Sequence, residues 1–190
     1  MTLNDILKKP DVTLAEVQKH LRALAPAERV RQATTVDRSV QAVMWRIAEK
    51  GDPITENDLV PANRKALDPI PFEGQNNLPA FRRFQKVFYR QSNGTIAGYN
   101  NQAMGWFTGP GYYIVRAGNP KAPNAYIDYE AIPTEKPEGW PAIKRNDTGI
   151  SQFVYGWMQD YLRRVDGLIL IGRATIKKKD TANYFVLAHE

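Results

Sequence analysis

Residues 160–171 read DYLRRVDGLILI, and whether this stretch is helix or strand decides the fold of the chain. Phe153, Trp157, Tyr161 and Val165 fall at helical spacing. Tyr161, Arg163 and Val165 also alternate with Asp160, Leu162 and Arg164, however, and Asp166-Gly167 is the dipeptide of a type I′ hairpin turn, with the apolar run Leu168 to Ile171 directly after it. The stretch is therefore predicted as a strand over 160–165 that turns back into a second strand from Leu168. Thr175 to Lys179 runs into a charged turn, and Tyr184 to Leu187 closes the chain as a further strand.

The same period of two extends upstream. Phe84, Lys86, Phe88 and Arg90 alternate with Gln85, Val87, Tyr89 and Gln91, and Ser92-Asn93-Gly94 is a hairpin signal leading into Thr95 to Tyr99. Gly98 to Arg116, GYNNQAMGWFTGPGYYIVR, combines backbone-bending glycines with aromatics that fill or cover a curved sheet. Gly109-Pro110-Gly111 opens a strand from Tyr112 to Ala117; Gly118 to Asn124 is a turn, and Ala125 to Ile132 returns. Neither strand pair has the helical crossover that parallel pairing needs, so the sheet is predicted antiparallel. Seven to eight locally joined strands in about 110 residues describe a meander that closes on itself and leaves no edge. The loop Pro133 to Asp147 is long enough to be a lid or a cover for the sheet.

The first part of the chain reads as helical. Thr13-Leu-Ala-Glu16 is a capping box before Val17, Leu21 and Leu24, Pro26 stands where a second helix begins, and Val36, Val40, Val43, Met44 and Ile47 trace one buried face ended by Gly51 and Pro53. Five prolines between Pro53 and Pro79 exclude long helices and central strands there. The predicted organisation is α+β: a helical lobe over 1–52, a proline-rich connector over 53–80 packed on the domain, and an antiparallel meander β-barrel over 81–190. With no cysteine, disulfides and thiolate chemistry are excluded, and a reducing, cytoplasmic setting is expected. No stretch approaches the length of a membrane span, and the opening MTLNDILKKPDV does not read as a signal peptide. The formal net charge is +6, and the basic excess falls in residues 71–190, where 15 Lys/Arg face 10 Asp/Glu.

Val154-Tyr155, Asp160 to Asp166, Ile171-Gly172-Arg173-Ala174 and Tyr184 to Leu187, with the central pieces FRRFQKVFYR, GYN, GPGYY and GWP, resemble an uncharacterised bacterial family of lipocalin-like (calycin, GXWXG-type) barrels over about residues 80–190. Gly105-Trp106 and Gly109 lie at a spacing that departs from the GXWXG strand. The resemblance implies a small barrel holding an apolar or amphipathic molecule, and it supplies no catalytic residues.

His20 and His189 have no paired ligand spacing, which argues against a metal or a histidine-based catalytic site, and Gly105 to Gly111 has none of the P-loop's lysine and hydroxyl. No cofactor is expected. The candidate binding residues are Tyr99, Trp106, Tyr112, Ile114, Arg116, Tyr126, Asp128 and Arg173: an arginine inside the barrel for an anionic head group, with aromatics around an apolar tail. Arg116 and Asp128 are also expected to form a cross-strand contact, most simply a surface ion pair. A one-residue slip in register would exchange Tyr112, Ile114 and Arg116 for Tyr113, Val115 and Ala117. Two other readings remain open: a basic, stacking surface for single-stranded nucleic acid built from Phe81-Arg82-Arg83, Lys86, Arg90 and Lys177 to Lys179, and a protein-interaction module built on the helical lobe.

Overall fold

A computed structural model describes residues 1–79, 82–101, 109–147, 152 and 155–190. Helices α1 (Leu3–Leu7), α2 (Leu14–Arg22), α3 (Pro26–Ala33) and α4 (Gln41–Ile47), and a single turn α5 (Glu56–Leu59), precede eight strands. These are β1 (Ile70–Asn76), β2 (Arg83–Arg90), β3 (Ile96–Asn101), β4 (Tyr113–Arg116), β5 (Tyr126–Asp128), β6 (Met158–Asp166), β7 (Ile169–Ile176) and β8 (Lys179–Ala188). Each strand is antiparallel to the next, and β1 pairs with β8 to close the barrel. The predicted antiparallel meander and α+β class are therefore observed, and residues 160–165 are strand.

The helices lie on the outside of β6, β7 and β8. Val165, Ile169, Ile171, Val186 and Ala188 point outward and form one core with Leu3, Ile6, Val17, Leu21, Val36 and Met44. Leu162, Leu170, Phe185 and Leu187 point the other way, into the barrel. Both faces of these strands are thus covered, which is why LILI and YFVL read as continuous apolar runs instead of alternating ones. The capping box at α2 forms as its sequence dictates, with Glu16 N–H donating to Thr13 Oγ1 at 3.3 Å and Thr13 N–H to Glu16 Oε2 at 3.0 Å. A second box, Thr2 with Asp5, starts the short helix α1, which the apolar periodicity does not reveal.

Two expectations are corrected. Residues 70–76 are not connector but a barrel strand, paired with β2 from Ile70 and with β8 only from Glu73. Pro71 is tolerated because its missing N–H lies beyond the β8 ladder, on the side where its carbonyl meets His189 Nδ1 at 2.8 Å. The helical stripe from Val36 begins as a turn, and regular helix starts only at Gln41, although Val36 and Val40 are buried as the pattern requires.

The lumen is filled for most of its length. Phe72, Phe88, Tyr113, Val115, Ile127, Tyr129, Leu162 and Leu170 occupy it, and Ile54, Leu59 and Val60, on and beside α5, plug one end. Arg90 Nη2 donates to Val60 O at 2.5 Å and Arg164 Nη2 to Pro53 O at 3.1 Å, so the plug is tied to the strand ends. The aromatic rings fit because glycines stand opposite them. A Cβ on Gly172 would lie 2.1 Å from the Phe185 ring, and one on Gly98 would meet both the Val87 carbonyl and the Tyr113 hydroxyl. Gly172→Ala is therefore expected to destabilise the fold by about 1–3 kcal/mol through overpacking. In urea titrations, combining it with Phe185→Leu should recover most of that loss, and simple additivity of the two changes would refute the contact.

Candidate functional site

Alternation along β2 carries Phe84, Lys86 and Phe88 to the inner face together, so a lysine enters the lumen between two phenylalanines. Lys86 is 2% exposed and Asp160, inward-facing on β6 beside Leu162, is 3% exposed. Their side chains meet at 3.0 Å. The other two ammonium hydrogens go to Asn100 Oδ1, at 2.9 Å, and to the Tyr129 hydroxyl. Asn100 Nδ2 donates to the Tyr129 hydroxyl at 3.0 Å, and that hydroxyl lies 3.3 Å from Asp160 Oδ2. All three donors of the lysine are used, and its charge is balanced.

Around this network the rings of Tyr129, Phe185, Tyr113 and Phe84 stand 5.0, 5.1, 5.2 and 5.7 Å from Lys86 Nζ. The negative ring faces add to the attraction of the carboxylate for a cation removed from water. Burial lowers the Lys86 pKa from its ordinary value, against the opposing pull of Asp160. Burial likewise raises the Tyr113 and Tyr129 hydroxyls well above theirs, with the Asp160 charge adding to the effect. Both phenols are thus held neutral, and Tyr129 takes part in the network as a hydrogen-bonding group. The Tyr113 hydroxyl is buried with no hydrogen-bond partner among the described residues.

Above this polar floor lies a cavity of about 270 Å³, at the end of the barrel opposite the α5 plug. Its walls include Phe84, Tyr155, Met158, Ala174, Ile176 and Phe185, with Leu78 at the rim. The cavity has room because β8 leaves register here: Arg173 pairs with Tyr184 but Thr175 with Asp180, so three residues of β8 face the single Ala174.

The residues singled out from sequence lie elsewhere. Tyr113, Val115 and Ile127 belong to the lumen, so Tyr112, Ile114, Arg116, Tyr126 and Asp128 are on the outer side of the wall. Of the slipped set, Tyr113 and Val115 face inward, whereas Ala117 lies beyond β4 and is exposed. Ile114 packs with Tyr89 and Ala97 beneath Trp140, Tyr99 lies 4.4 Å from the Trp140 ring, and the Tyr112 hydroxyl donates to Pro141 O at 2.7 Å. The loop after Pro133 is therefore a cover for the outer face of β2 to β4. Arg116 and Asp128 form the expected contact, at 3.2 Å, on the exterior with the arginine half exposed. Tyr126 stacks on Tyr161 at 5.3 Å. Arg173 lies in an outer groove with Trp45, Glu49, Tyr161 and Arg163, a space of about 390 Å³. That groove is larger than the end cavity, but Asp180 occupies Arg173 at 3.0 Å and Glu49 occupies Arg163 at 3.1 Å. Trp106 and Phe81 lie outside the described residues.

The basic residues named for nucleic acid are also separated. Lys86 is inside the barrel, and Arg90 is bound to Asn57 and Val60 at the plugged end, away from the β7–β8 turn that carries Lys177 and Lys178. Lys86 and Asp160 were the residues missed as a site. The signal was present, since Lys86 shares the period-two face of Phe84 and Phe88, and Asp160 that of Leu162.

Among the described residues no group of histidine, aspartate and glutamate side chains could hold a metal ion, and no helix is long and apolar enough to cross a membrane. Comparison of the chain with models of known families, with curated proteins and with solved structures finds no match.

The buried pair has a testable energetic signature. Removing one partner, as in Lys86→Met or Asp160→Asn, is expected to cost about 3–5 kcal/mol, whereas Lys86→Met with Asp160→Leu should recover most of it. The pH dependence follows from the depressed lysine. Between its lowered folded pKa and the unfolded value of 10.5 the unfolded chain binds more protons, so stability rises with pH in that window. Above about 10, the raised tyrosines reverse the sign. Urea midpoints across this range should show the rise in the parent protein and not in the double variant; the same rise in both would contradict the assignment to Lys86.

Proposed function

We propose that the barrel binds a small apolar or amphipathic molecule, without a covalent step, in the cavity at its open end. The observation that carries this reading is the coincidence of an apolar cavity with convergent, buried polar groups at its floor, the usual composition of a ligand site. The aromatic and aliphatic walls receive the apolar part of the molecule. Asp160, whose contacts with Lys86 and Tyr129 both use Oδ2, keeps an oxygen that can accept a hydrogen bond from the molecule's polar end.

The geometry also narrows the ligand class. A free carboxylate gains little here, because Lys86 is already neutralised by Asp160 and has no donor to spare. An uncharged head group that donates a hydrogen bond, such as a hydroxyl or an amide N–H, meets the Asp160 carboxylate at the floor without leaving a charge unpaired. Size adds a second limit. A cavity of about 270 Å³ lies just below the roughly 300–1,000 Å³ typical of drug-sized ligands, so a single substituted ring or a short chain fits and a long lipid does not.

Native mass spectrometry of the protein purified from its own host is expected to show a retained small molecule, and an environment-sensitive apolar probe should bind saturably and be displaced by it. Ala174→Phe projects a ring into the cavity and should weaken probe binding by at least about tenfold, since several apolar contacts are lost. Absence of a saturable site, or equal binding by Ala174→Phe, would overturn the proposal.

A further inference from the structure

The rim of the cavity has features that ligand binding alone does not require. Trp157 is 44% exposed, Ile176 is 43% exposed and Leu78 is 41% exposed; apart from Met1 these are the large apolar side chains most open to solvent among the described residues. All three lie at the same end. Leu78 and Ile176 line the cavity, Ile176 pairs with Met158, and Trp157 is the residue before Met158. Between them stands the β7–β8 turn, in which Ile176 pairs with Lys179 across only Lys177 and Lys178.

The backbone at this rim is strained in a telling way. Both turn residues have left-handed backbone, with φ of 51° and 61°, and Trp157 has φ of 57°. A two-residue turn of this type ordinarily uses Asn-Gly, because residues with bulky side chains are disfavoured there. Of the four non-glycine residues with left-handed backbone among those described, three are at this rim, and they are a tryptophan and two lysines. Stability is given up where large apolar and cationic groups are held outward together. Strain of this kind concentrates at functional positions. The Lys177 ammonium stands 4.8 Å over the Trp157 ring, and the neighbouring Asp180 is taken by Arg173. Glu130 is the carboxylate that shares the groove with Trp157, Lys177 and Lys178.

We propose that this rim docks on the surface of an anionic lipid bilayer. An amphipathic indole at headgroup depth, aliphatic side chains beside it and a cluster of lysines are the components of interfacial attachment. Single-stranded nucleic acid would satisfy the lysines and stack on Trp157, but it offers no apolar medium for Ile176 and Leu78. The docking surface surrounds the cavity mouth, so a molecule leaving the bilayer would enter the barrel directly. The attachment itself does not depend on the cavity being occupied.

The test is co-sedimentation of the full chain with vesicles of phosphatidylcholine alone or of phosphatidylcholine with phosphatidylserine. Binding is expected to the second and not the first, and to weaken as salt is raised. Reversing Lys177, Lys178 and Lys179 to glutamate should lower the partition coefficient at least roughly a hundredfold, at about tenfold per 1.4 kcal/mol. Trp157→Ala should lower it about tenfold. The decisive variant is Lys177→Asn with Lys178→Gly, which relieves the turn: it should raise the unfolding midpoint while weakening vesicle binding, so that lost binding cannot be assigned to lost folding. Failure of the parent chain to bind anionic vesicles, unchanged binding by the relieved turn, or binding to a single-stranded oligonucleotide with none to vesicles would overturn the proposal. Probe binding in the cavity, measured on the same variants, is expected to stay unchanged, which separates this outcome from failure of the ligand site.

Discussion

An ammonium group cannot remain inside an apolar barrel unless its charge and its three hydrogens are all answered there, and this constraint organises the interior. Lys86 finds Asp160 across the lumen, Asn100 on the adjoining strand and Tyr129 just beyond β5. These residues come from β2, β3, β6 and the chain following β5, so the network fixes the relative register of distant parts of the wall. A one-residue slip in β2 would carry Lys86 outward and leave the Asp160 carboxylate buried without a partner, a change costing several kcal/mol. Hydrophobic contacts stabilise the barrel in bulk, but they tolerate rearrangement; the ion pair does not.

The same pair divides the lumen into two functional parts. Below it, toward the α5 plug, the space is filled by aromatic and aliphatic side chains, with Gly98 opposite the Tyr113 ring. Above it the bulge in β8 leaves a cavity whose floor is polar and charge-balanced. The barrel is therefore a shallow cup rather than a deep sleeve. That shape favours small molecules with uncharged heads and puts the entrance beside the exposed residues of the rim.

Much of the fold could be read from the chain, and the failures have physical causes. Alternation and the Asp166-Gly167 turn located β6 and β7, and the absence of crossovers gave the antiparallel meander. β1 was hidden by Pro71 within it and Pro69 just before it, although Ile70, Phe72 and Gly74 alternate inward; Pro71 is accommodated because it sits where no ladder bond is needed. The face of β4 could not be chosen from its own residues: Tyr113, Ile114 and Val115 are all buried, the outward-facing Ile114 by the loop that carries Trp140. Where a second layer covers the outside of a sheet, polarity no longer marks the solvent side. Lys86 misled for the complementary reason. A lysine is read as surface by default, and only its place between Phe84 and Phe88 contradicts that.

Nuclear magnetic resonance of the lysine side chains, detected on ¹⁵N, distinguishes a buried, paired Lys86 ammonium at the heart of the barrel from a solvated one. A buried Lys86 gives one ammonium signal protected from solvent exchange at neutral pH, with ε-methylene protons shifted by ring currents and Overhauser contacts to Tyr113, Tyr129 and Phe185, and a titration below the ordinary lysine range. A Lys86 signal that exchanges freely, shows no ring-current shift and titrates near 10.5 would contradict it.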